Sequence, residues 1–259
     1  MEKKFVCFDI DGTLLDENKM ILTSTKEAIH KLQNEGHTIA IATGRNAYMI
    51  QDILAEVNVD NYIVCNGAAG YLGNKLSYFD GLDKEGFADL LKETDKNNHS
   101  VIYQTAFELR RRTENINMNM VNAMQSVDFS VPEQDFNFNQ KNDLTQALIF
   151  YSEEEKDHYE KGQFPQFRFV RWHESGVDIL PINGSKFNTI NALAIKLGFS
   201  MSNVIAFGDG MNDIEMISDV GTGVAMGNAV DEVKQKADYI TESHNNHGIA
   251  LALKHLKLI

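Results

Sequence analysis

The chain has 259 residues, enough for one large domain or two ordinary ones. Hydrophobic residues make up 43% and charged residues 24%, as is typical of a globular protein with a sizeable core. The formal net charge of −13 argues against nucleic acid or a membrane as a main partner, and no window is apolar for long enough to span a membrane. The two cysteines lie inside apolar runs, which predicts buried reduced thiols and a cytoplasmic protein.

The first predicted strand runs into two aspartates. Residues 5–8, FVCF, form an apolar run that predicts a strand buried on both faces of a parallel sheet. Asp9 and Asp11 follow it, and residues two apart in an extended chain point to the same side. Like charges about 4 Å apart repel by roughly 4 kcal/mol at an effective dielectric near 20. A bound cation, a nearby lysine or a shared proton would compensate, unless the stretch is only a polar turn.

Helices and strands alternate through the first third of the chain. A capping box, Ser24-x-x-Glu27, predicts the start of the first helix. The apolar patterns then predict strands at 38–42 and 62–65, a helix at 47–57 and a hairpin turn at 73–74. Alternation with short links is the signature of a parallel sheet with right-handed crossovers. We therefore expect the residues that follow each strand to share one rim of the sheet.

The middle third of the chain has a different order of predicted helices and strands. It predicts helices at 84–97, 115–124 and 153–161, an irregular stretch at 129–142, and strands at 101–103, 109–112, 147–150, 167–172 and 177–180. Alternating apolar and basic residues at 167–172 favour antiparallel pairing with one solvated face. The run Arg110-Arg111-Arg112 is interpreted as a solvated strand face rather than a phosphate clamp. We predict an α+β insert at 83–182, between core segments 1–82 and 183–259.

The first pattern returns in the last third. Ser185 predicts the N-cap of a helix that ends at Leu197, and residues 204–207 predict a buried strand. Further strands are expected near 223–226 and 239–240, with helices after 214, near 231 and at 248–258. The strand ends then present Asp9 with Asp11, Thr43, the neighbourhood of Lys186, and Asp209 with Asp213.

Phosphoryl transfer through an aspartyl-phosphate uses this set of groups. A carboxylate is a competent nucleophile at phosphorus, and positioning with charge neutralisation does most of the catalysis. Aspartate oxygens suit Mg²⁺, which binds hard ligands. Lysine, a threonine hydroxyl and backbone N–H groups satisfy phosphate oxygens.

The sequence resembles the haloacid dehalogenase (HAD) superfamily, and within it the Cof-type phosphatases. The matching stretches, in order, are FDIDGTLLD, IATGR, the lysine of SKFNTI, GDGMNDIEM, and ADYIT followed by HGIALAL. The resemblance covers nearly the whole chain and implies a Rossmann-like, doubly wound α/β core with the insert as a type IIB α+β cap. It implies a Mg²⁺-dependent phosphatase, monomer or homodimer, that hydrolyses a small phosphorylated metabolite such as a sugar phosphate, a nucleotide or a phosphorylated cofactor.

The resemblance also implies roles for individual residues. Asp9 is the expected nucleophile, and Asp11 the acid for the leaving alcohol and then the base for water. The expected Mg²⁺ ligands are Asp9, the backbone carbonyl of Asp11, Asp209 and Asp213. The expected phosphate and substrate positions are Thr43, Gly44, Arg45, Asn66, Lys186 and Asn212. In one departure from the family, Phe187 stands where glycine usually follows the motif lysine, which concerns the loop geometry rather than the role of the lysine.

Two other functions stay open at this point. A phosphomutase would use the same groups but would hold its phosphoenzyme away from water. A regulator that binds a phosphorylated metabolite without turnover would keep the fold, although the presence of both Asp9 and Asp11 argues against it. Residues 172–174 of the insert are the first candidates for substrate contact, with a simple turn as the alternative.

Overall fold

The computed structural model describes residues 2–127 and 129–259. Contacts divide the chain into two units. The core unit comprises the residues up to Phe79 together with Ser185–Ile259, and the insert unit comprises Asp80–Gly184. The sequence prediction put the insert at 83–182, inside the limits of this second unit.

Strands and helices are numbered along the chain. The strands are β1 (Phe5–Phe8), β2 (Thr38–Ala42), β3 (Tyr62–Val64), β4 (Ala69–Leu72), β5 (Lys75–Phe79), β6 (Ser100–Gln104), β7 (Leu109–Arg111), β8 (Gln146–Phe150), β9 (Phe167–Arg171), β10 (Gly176–Pro181), β11 (Val204–Gly208), β12 (Thr222–Ala225) and β13 (Tyr239–Ile240). The α-helices are α1 (Thr23–Asn34), α2 (Gln51–Val57), α3 (Lys84–Asn97), α4 (Met118–Ser126), α5 (Phe138–Lys141), α6 (Lys186–Leu197), α7 (Ile214–Asp219), α8 (Asp231–Lys234) and α9 (Gly248–His255). Short 3₁₀ turns lie at Ala47–Ile50, Cys65–Gly67, Glu153–His158, Met201–Asn203, Met211–Asp213 and His244–Asn246.

The core unit is built on an eight-stranded sheet in the order β13-β12-β11-β1-β2-β3-β4-β5. Pairs from β13 to β3 are parallel, and the predicted hairpin β4–β5 joins the sheet antiparallel. The four residues of β1 are buried, as expected for an apolar run covered on both faces. Since parallel strands end at one edge, the loops after β1, β2, β3 and β11 share a rim, where open α/β sheets bind ligands.

Helices cover the core sheet because its strands are apolar on both faces. One cluster joins β1, β2 and β11 to α6, α7 and α8, and Phe187 packs against this cluster, partly buried. The residue that replaces the family's glycine is therefore a packing residue at the start of α6. On the sheet's far side α1 contacts β2 and α9. Within the described part of the chain, none of the helices has the length and apolar character needed to cross a membrane.

The insert unit has a five-stranded antiparallel sheet in the order β7-β6-β8-β10-β9. One cluster packs α3 on this sheet, and a second contains residues of α4 with Leu148 and Phe150. Trp172 packs against the second cluster, with its ring perpendicular to that of Phe150 at 6.5 Å. The Nδ1 atom of His173 lies 3.2 Å from the hydroxyl of Ser175 in the adjacent turn. Trp172 and His173 thus both have structural contacts within this unit.

Two predicted helices differ in detail from the structure. Helix α1 has Leu22 as its N-cap and no side-chain cap, because the hydroxyl of Ser24 lies 2.8 Å from His247 Nδ1 instead. The helix predicted at 153–161 is a 3₁₀ turn over Glu153–His158. Its surface is charged all round, and a helix without an apolar face gains little from packing.

Two further predictions in the insert were wrong. Arg112 is not part of a solvated face: it is 7% exposed, forms a two-pronged ion pair with Asp95, and lies over the ring of Phe136. A guanidinium can be buried in this way when a carboxylate and an aromatic ring satisfy it. The stretch 129–142, predicted irregular, contains the single helical turn α5.

Candidate active site

Asp9 follows β1 directly, at the centre of the core sheet, and is only 6% exposed for that reason. Its amide continues the sheet by donating to the carbonyl of Phe207 at 3.0 Å. Its Oδ1 atom accepts a hydrogen bond from Lys186 Nζ at 2.6 Å. A buried carboxylate is thus held by a buried ammonium at the rim where the strands end.

Lys186 is the first residue of α6, which Ser185 caps by accepting a hydrogen bond from the amide of Asn188, as predicted. Its ammonium is 1% exposed and donates to Asp9 Oδ1 at 2.6 Å and to Asp213 Oδ1 at 2.7 Å. Burial alone would lower the pKa of Lys186, but the charges and hydrogen bonds of Asp213 and Asp9 outweigh it and raise that pKa. The lysine therefore stays charged inside the site.

The loop after β11 supplies two more carboxylates. Asp213 Oδ2 accepts from the amides of Asp209 and Gly210, both at 2.9 Å, which fixes the turn around it. The hydroxyl of Thr13 donates to Asp209 Oδ1 at 2.9 Å. Carboxylate oxygens of Asp9, Asp209 and Asp213 lie within 4.8 Å of one another.

Three carboxylates in this cluster face one ammonium. Burial first, and then the charge of Asp213, raises the pKa of Asp9 against the opposing effect of Lys186. Burial is also the main cause that raises the pKa of Asp209 to about 6. Burial and mutual repulsion thus both disfavour the charged forms of Asp9 and Asp209, and a bound cation would oppose both effects. Closely spaced hard oxygens with excess negative charge fit a divalent cation such as Mg²⁺.

Asp11 has a different environment from Asp9. Arg45 donates to its two carboxylate oxygens at 2.8 and 2.5 Å, and Lys19 Nζ lies 3.2 Å away. Burial acts to raise the pKa of Asp11, but the bonds and charges of Arg45 and Lys19 lower it below its usual range. Asp213 and Asp209, rather than Asp11, therefore crowd Asp9, contrary to the expectation from the sequence. The chain turns after Asp9, with Gly12 at φ 77°, and the same-side rule applies only to an extended strand.

The remaining predicted residues lie on adjoining loops. Thr43 is 1% exposed, its hydroxyl accepts from the amide of Arg45 at 3.1 Å, and its carbonyl accepts from the amide of Asn66 at 3.1 Å. Asn212 Nδ2 donates to Asn66 Oδ1 at 3.1 Å. A Cβ on Gly44 would lie 2.9 Å from that same oxygen, so the glycine allows close approach. These contacts join the loops after β2, β3 and β11.

Sequence reasoning missed two residues of this site. Thr13 holds Asp209, as described above. Asn228 Nδ2 donates to the carbonyl of Gly12 at 2.8 Å and lies 3.4 Å from Asp209 Oδ2. The position of Asn228 after β12 places it at the same rim as the other loops, but its hydrogen bonds to Gly12 and Asp209 arise only in the tertiary structure.

Comparisons with known proteins agree with this geometry. Residues 6–253 match the profile of the haloacid dehalogenase-like hydrolase family. The chain belongs to this family. The putative phosphatase YkrA of Bacillus subtilis (strain 168) is 38% identical to this HAD-family chain over 259 residues, the full length of both.

Two further similarities cover nearly the whole chain. The 5-amino-6-(5-phospho-D-ribitylamino)uracil phosphatase YcsE of Bacillus subtilis (strain 168) is 30% identical over 260 residues, or 97% of this chain and 95% of YcsE. The crystal structure of a hypothetical protein from Geobacillus kaustophilus HTA426 has a TM-score of 0.95 and 41% identity over the full length of both chains. The predicted family, fold class and enzyme class, a phosphoric monoester hydrolase, are confirmed.

Proposed function

We propose that this HAD-family enzyme is a Mg²⁺-dependent phosphatase that cleaves small phosphate monoesters through an aspartyl-phosphate at Asp9. The observation that carries the proposal is the buried group of Asp9, Lys186 and Asp213 with Asp209 beside it. It combines a fixed carboxylate nucleophile, a lysine for phosphate and an acidic cluster for a cation. A polar turn that only closes a strand needs none of these.

The chemistry begins with attack of the Asp9 carboxylate on phosphorus. Since Lys186 binds Oδ1, the Oδ2 atom is the one offered to the substrate. The new bond forms between Asp9 and phosphorus while the bond to the ester oxygen breaks, and water later releases phosphate from Asp9. Lys186, the Thr43 hydroxyl and the backbone at Gly44 orient the phosphate oxygens. Asp9, Asp209, Asp213 and the Asp11 carbonyl would hold Mg²⁺, which would supply positive charge against the phosphate oxygens.

Asp11 moves the proton in both halves of the reaction. Its lowered pKa favours the carboxylate form, which suits activation of water in the second half. To donate a proton to the leaving alcohol in the first half, Asp11 has to release the two-pronged contact with Arg45. We infer that the substrate phosphate replaces the Asp11 carboxylate as the hydrogen-bond partner of Arg45, because guanidinium groups bind phosphate in the same two-pronged way.

Replacing Asp11 with Asn should lower turnover of alkyl phosphates by roughly 10²–10⁴-fold, the usual contribution of general acid–base catalysis. The loss should be smaller with p-nitrophenyl phosphate, whose leaving group needs less protonation. Steady-state rates on both esters measure this. Asp16→Asn is the matched control, because Asp16 lies on the same loop and its carboxylate accepts hydrogen bonds from the backbone amides of Asn18 and Met20. Equal losses of kcat/KM on the two esters would contradict the acid role, because kcat/KM reports only the steps up to release of the leaving alcohol.

Removal of the metal should abolish activity. The cluster of Asp9, Asp209 and Asp213 repels a negative phosphate unless a cation is present. We expect EDTA to stop phosphate release, Mg²⁺ to restore it, and Ca²⁺ to restore it poorly because its coordination is looser. Mg²⁺ should also raise the Tm of the wild type, and this shift should shrink in Asp209→Asn. Full activity in exhaustively chelated enzyme would refute the metal requirement.

The proposed substrate class rests on a named relative and on the insert unit. YcsE is named for a phosphorylated ribitylamino compound, and we propose a small phosphorylated metabolite of this kind for the present enzyme. We also propose that Asp80–Gly184 is a type IIB cap that selects among esters. Release of inorganic phosphate from a panel of sugar phosphates, nucleotides and phosphorylated cofactors tests this. A phosphomutase would instead return phosphate to the substrate, and a regulator would bind without release.

The proposed partners and location follow from the sequence. We propose a small-molecule substrate with neither nucleic acid nor membrane as partner, because the net charge is −13. A location in the cytoplasm fits Cys7 and Cys65, which are both buried thiols, and we propose a monomer or homodimer from the resemblance to the family.

A further inference from the structure

The turn that follows β3 has an unusual backbone. Cys65, Asn66 and Gly67 all have positive φ angles, of 53°, 53° and 98°. Glycine adopts this left-handed region readily, but it is unfavourable for residues with a side chain. Two such residues in succession persist only where the surrounding structure holds them, and such places concentrate at functional sites.

On one side the turn is bonded to the loop after β2. The amide of Cys65 donates to the carbonyl of Arg45 at 2.9 Å, and the amide of Asn66 donates to the carbonyl of Thr43 at 3.1 Å. The side chain of Asn66 also accepts from Asn212, on the loop after β11. The turn therefore connects two loops of the proposed active site.

On the other side the turn presses against the first residues of α6. A Cβ on Gly67 would lie 2.2 Å from the carbonyl oxygen of Ser185 and 2.8 Å from the amide nitrogen of Lys186. Thr189 lies one turn into the helix, is fully buried, and donates its hydroxyl to the carbonyl of Gly67. The turn thus packs closely against the backbone that carries Lys186 and is hydrogen-bonded to the same helix through Thr189.

We propose that Thr189 is a positioning residue, and that through the left-handed turn it sets the backbone of Lys186 for phosphate binding. The ammonium of Lys186 has to meet Asp9 at 2.6 Å and Asp213 at 2.7 Å at the same time. A misplacement of about 1 Å is enough to disturb such an arrangement. Thr189 acts only through Lys186, and the inference rests on the proposed phosphatase function.

Thr189→Val tests this inference, because valine keeps the shape of threonine and removes only the hydroxyl. Gly67→Ala is the more direct change, but the close approach to Ser185 endangers folding. We expect Thr189→Val to weaken binding of inorganic phosphate in the presence of Mg²⁺ by about tenfold, measured by calorimetry, since a buried acceptor loses its partner. The KM for p-nitrophenyl phosphate should rise more than kcat falls. Thr189→Ser, which keeps the hydroxyl, should bind phosphate within about twofold of the wild type.

Thr94→Val is the matched control. Thr94 is also a fully buried helix threonine, and its hydroxyl donates to the carbonyl of Leu91 at 2.8 Å, in the insert unit. It should lower Tm about as much as Thr189→Val and leave phosphate binding unchanged. Wild-type phosphate affinity in Thr189→Val, or failure of Thr189→Ser to restore it, would overturn the inference. A wild type that binds phosphate but hydrolyses no monoester would refute the proposed phosphatase, whereas the binding comparison would still decide the role of Thr189.

Discussion

Asp9→Asn should reduce turnover by roughly 10⁴–10⁶-fold, the scale of loss when an enzyme's nucleophile is removed. An amide cannot form the acyl phosphate, and the remaining groups can only bind the ester and stabilise charge. The protein should stay folded, because asparagine has the size of aspartate and the change removes one of the crowded carboxylates. Burst-phase release of p-nitrophenol and steady-state rates measure the loss, and a thermal melt in EDTA should show a Tm no lower than that of the wild type.

The control for Asp9→Asn is Asp52→Asn. Asp52 is exposed in the first turn of α2 and should leave turnover unchanged. Trapping of ³²P-labelled phosphoenzyme in the wild type, with no label retained by Asp9→Asn, would support the covalent step directly. If Asp9→Asn kept even a tenth of the wild-type rate, the covalent mechanism would be wrong.

Lys186→Met should lower the free energy of unfolding by about 3–5 kcal/mol in metal-free buffer, the usual result of leaving a buried charge without its partner. The ammonium of Lys186 is the counter-ion of two buried carboxylates, Asp9 and Asp213. Methionine fills the space but balances neither charge. Chemical denaturation with and without Mg²⁺ measures the change, and Mg²⁺ should recover part of the loss because a cation can replace the ammonium.

The loss in Lys186→Met should depend on pH. The pKa of Asp9 is already raised in the wild type, and losing the lysine would raise it further. A carboxylate whose pKa is raised in the folded state lowers the free energy of unfolding at pH values above that pKa. This loss disappears as the pH falls to the pKa of an unfolded aspartate, about 4. The destabilisation should therefore be larger at alkaline pH than at acidic pH.

Lys196→Met is the matched control for this variant. Lys196 lies in the same helix, is exposed, and donates to the carbonyl of Ser77. Its replacement should cost less than about 1 kcal/mol at any pH, as is usual for an exposed charge. If the two substitutions have the same effect, the buried ion pairs do not stabilise the fold.

The sequence determined the core architecture because its signals are local. The runs at 5–8, 39–42 and 204–207 are apolar throughout, which is typical of strands covered on both faces. Their loops then had to share one rim, which places Asp9, Thr43 and Asp209 at the same edge of the sheet. The order of the motifs identified the family, and the matching profile confirmed it.

The tertiary structure decided which charges meet. Sequence spacing suggested that Asp9 and Asp11 would crowd each other, yet Asp11 pairs with Arg45, while Asp213 and Lys186 surround Asp9. The partners of a side chain depend on loop turns after the strand, and those turns follow from contacts between distant segments. Ser24 shows the same limit, because a distant histidine replaces its predicted capping role.

The sequence by itself thus determined the fold class, the family and the identity of the chemical groups, since strand periodicity and motif order are properties of neighbouring residues. Only the tertiary structure decided the roles of Asn228, Thr13 and Thr189. Each makes its decisive hydrogen bond to a residue more than 100 positions away, to Gly12, Asp209 and Gly67 respectively. No local pattern encodes such a contact, because it exists only after the parallel sheet has brought the strand ends to one rim.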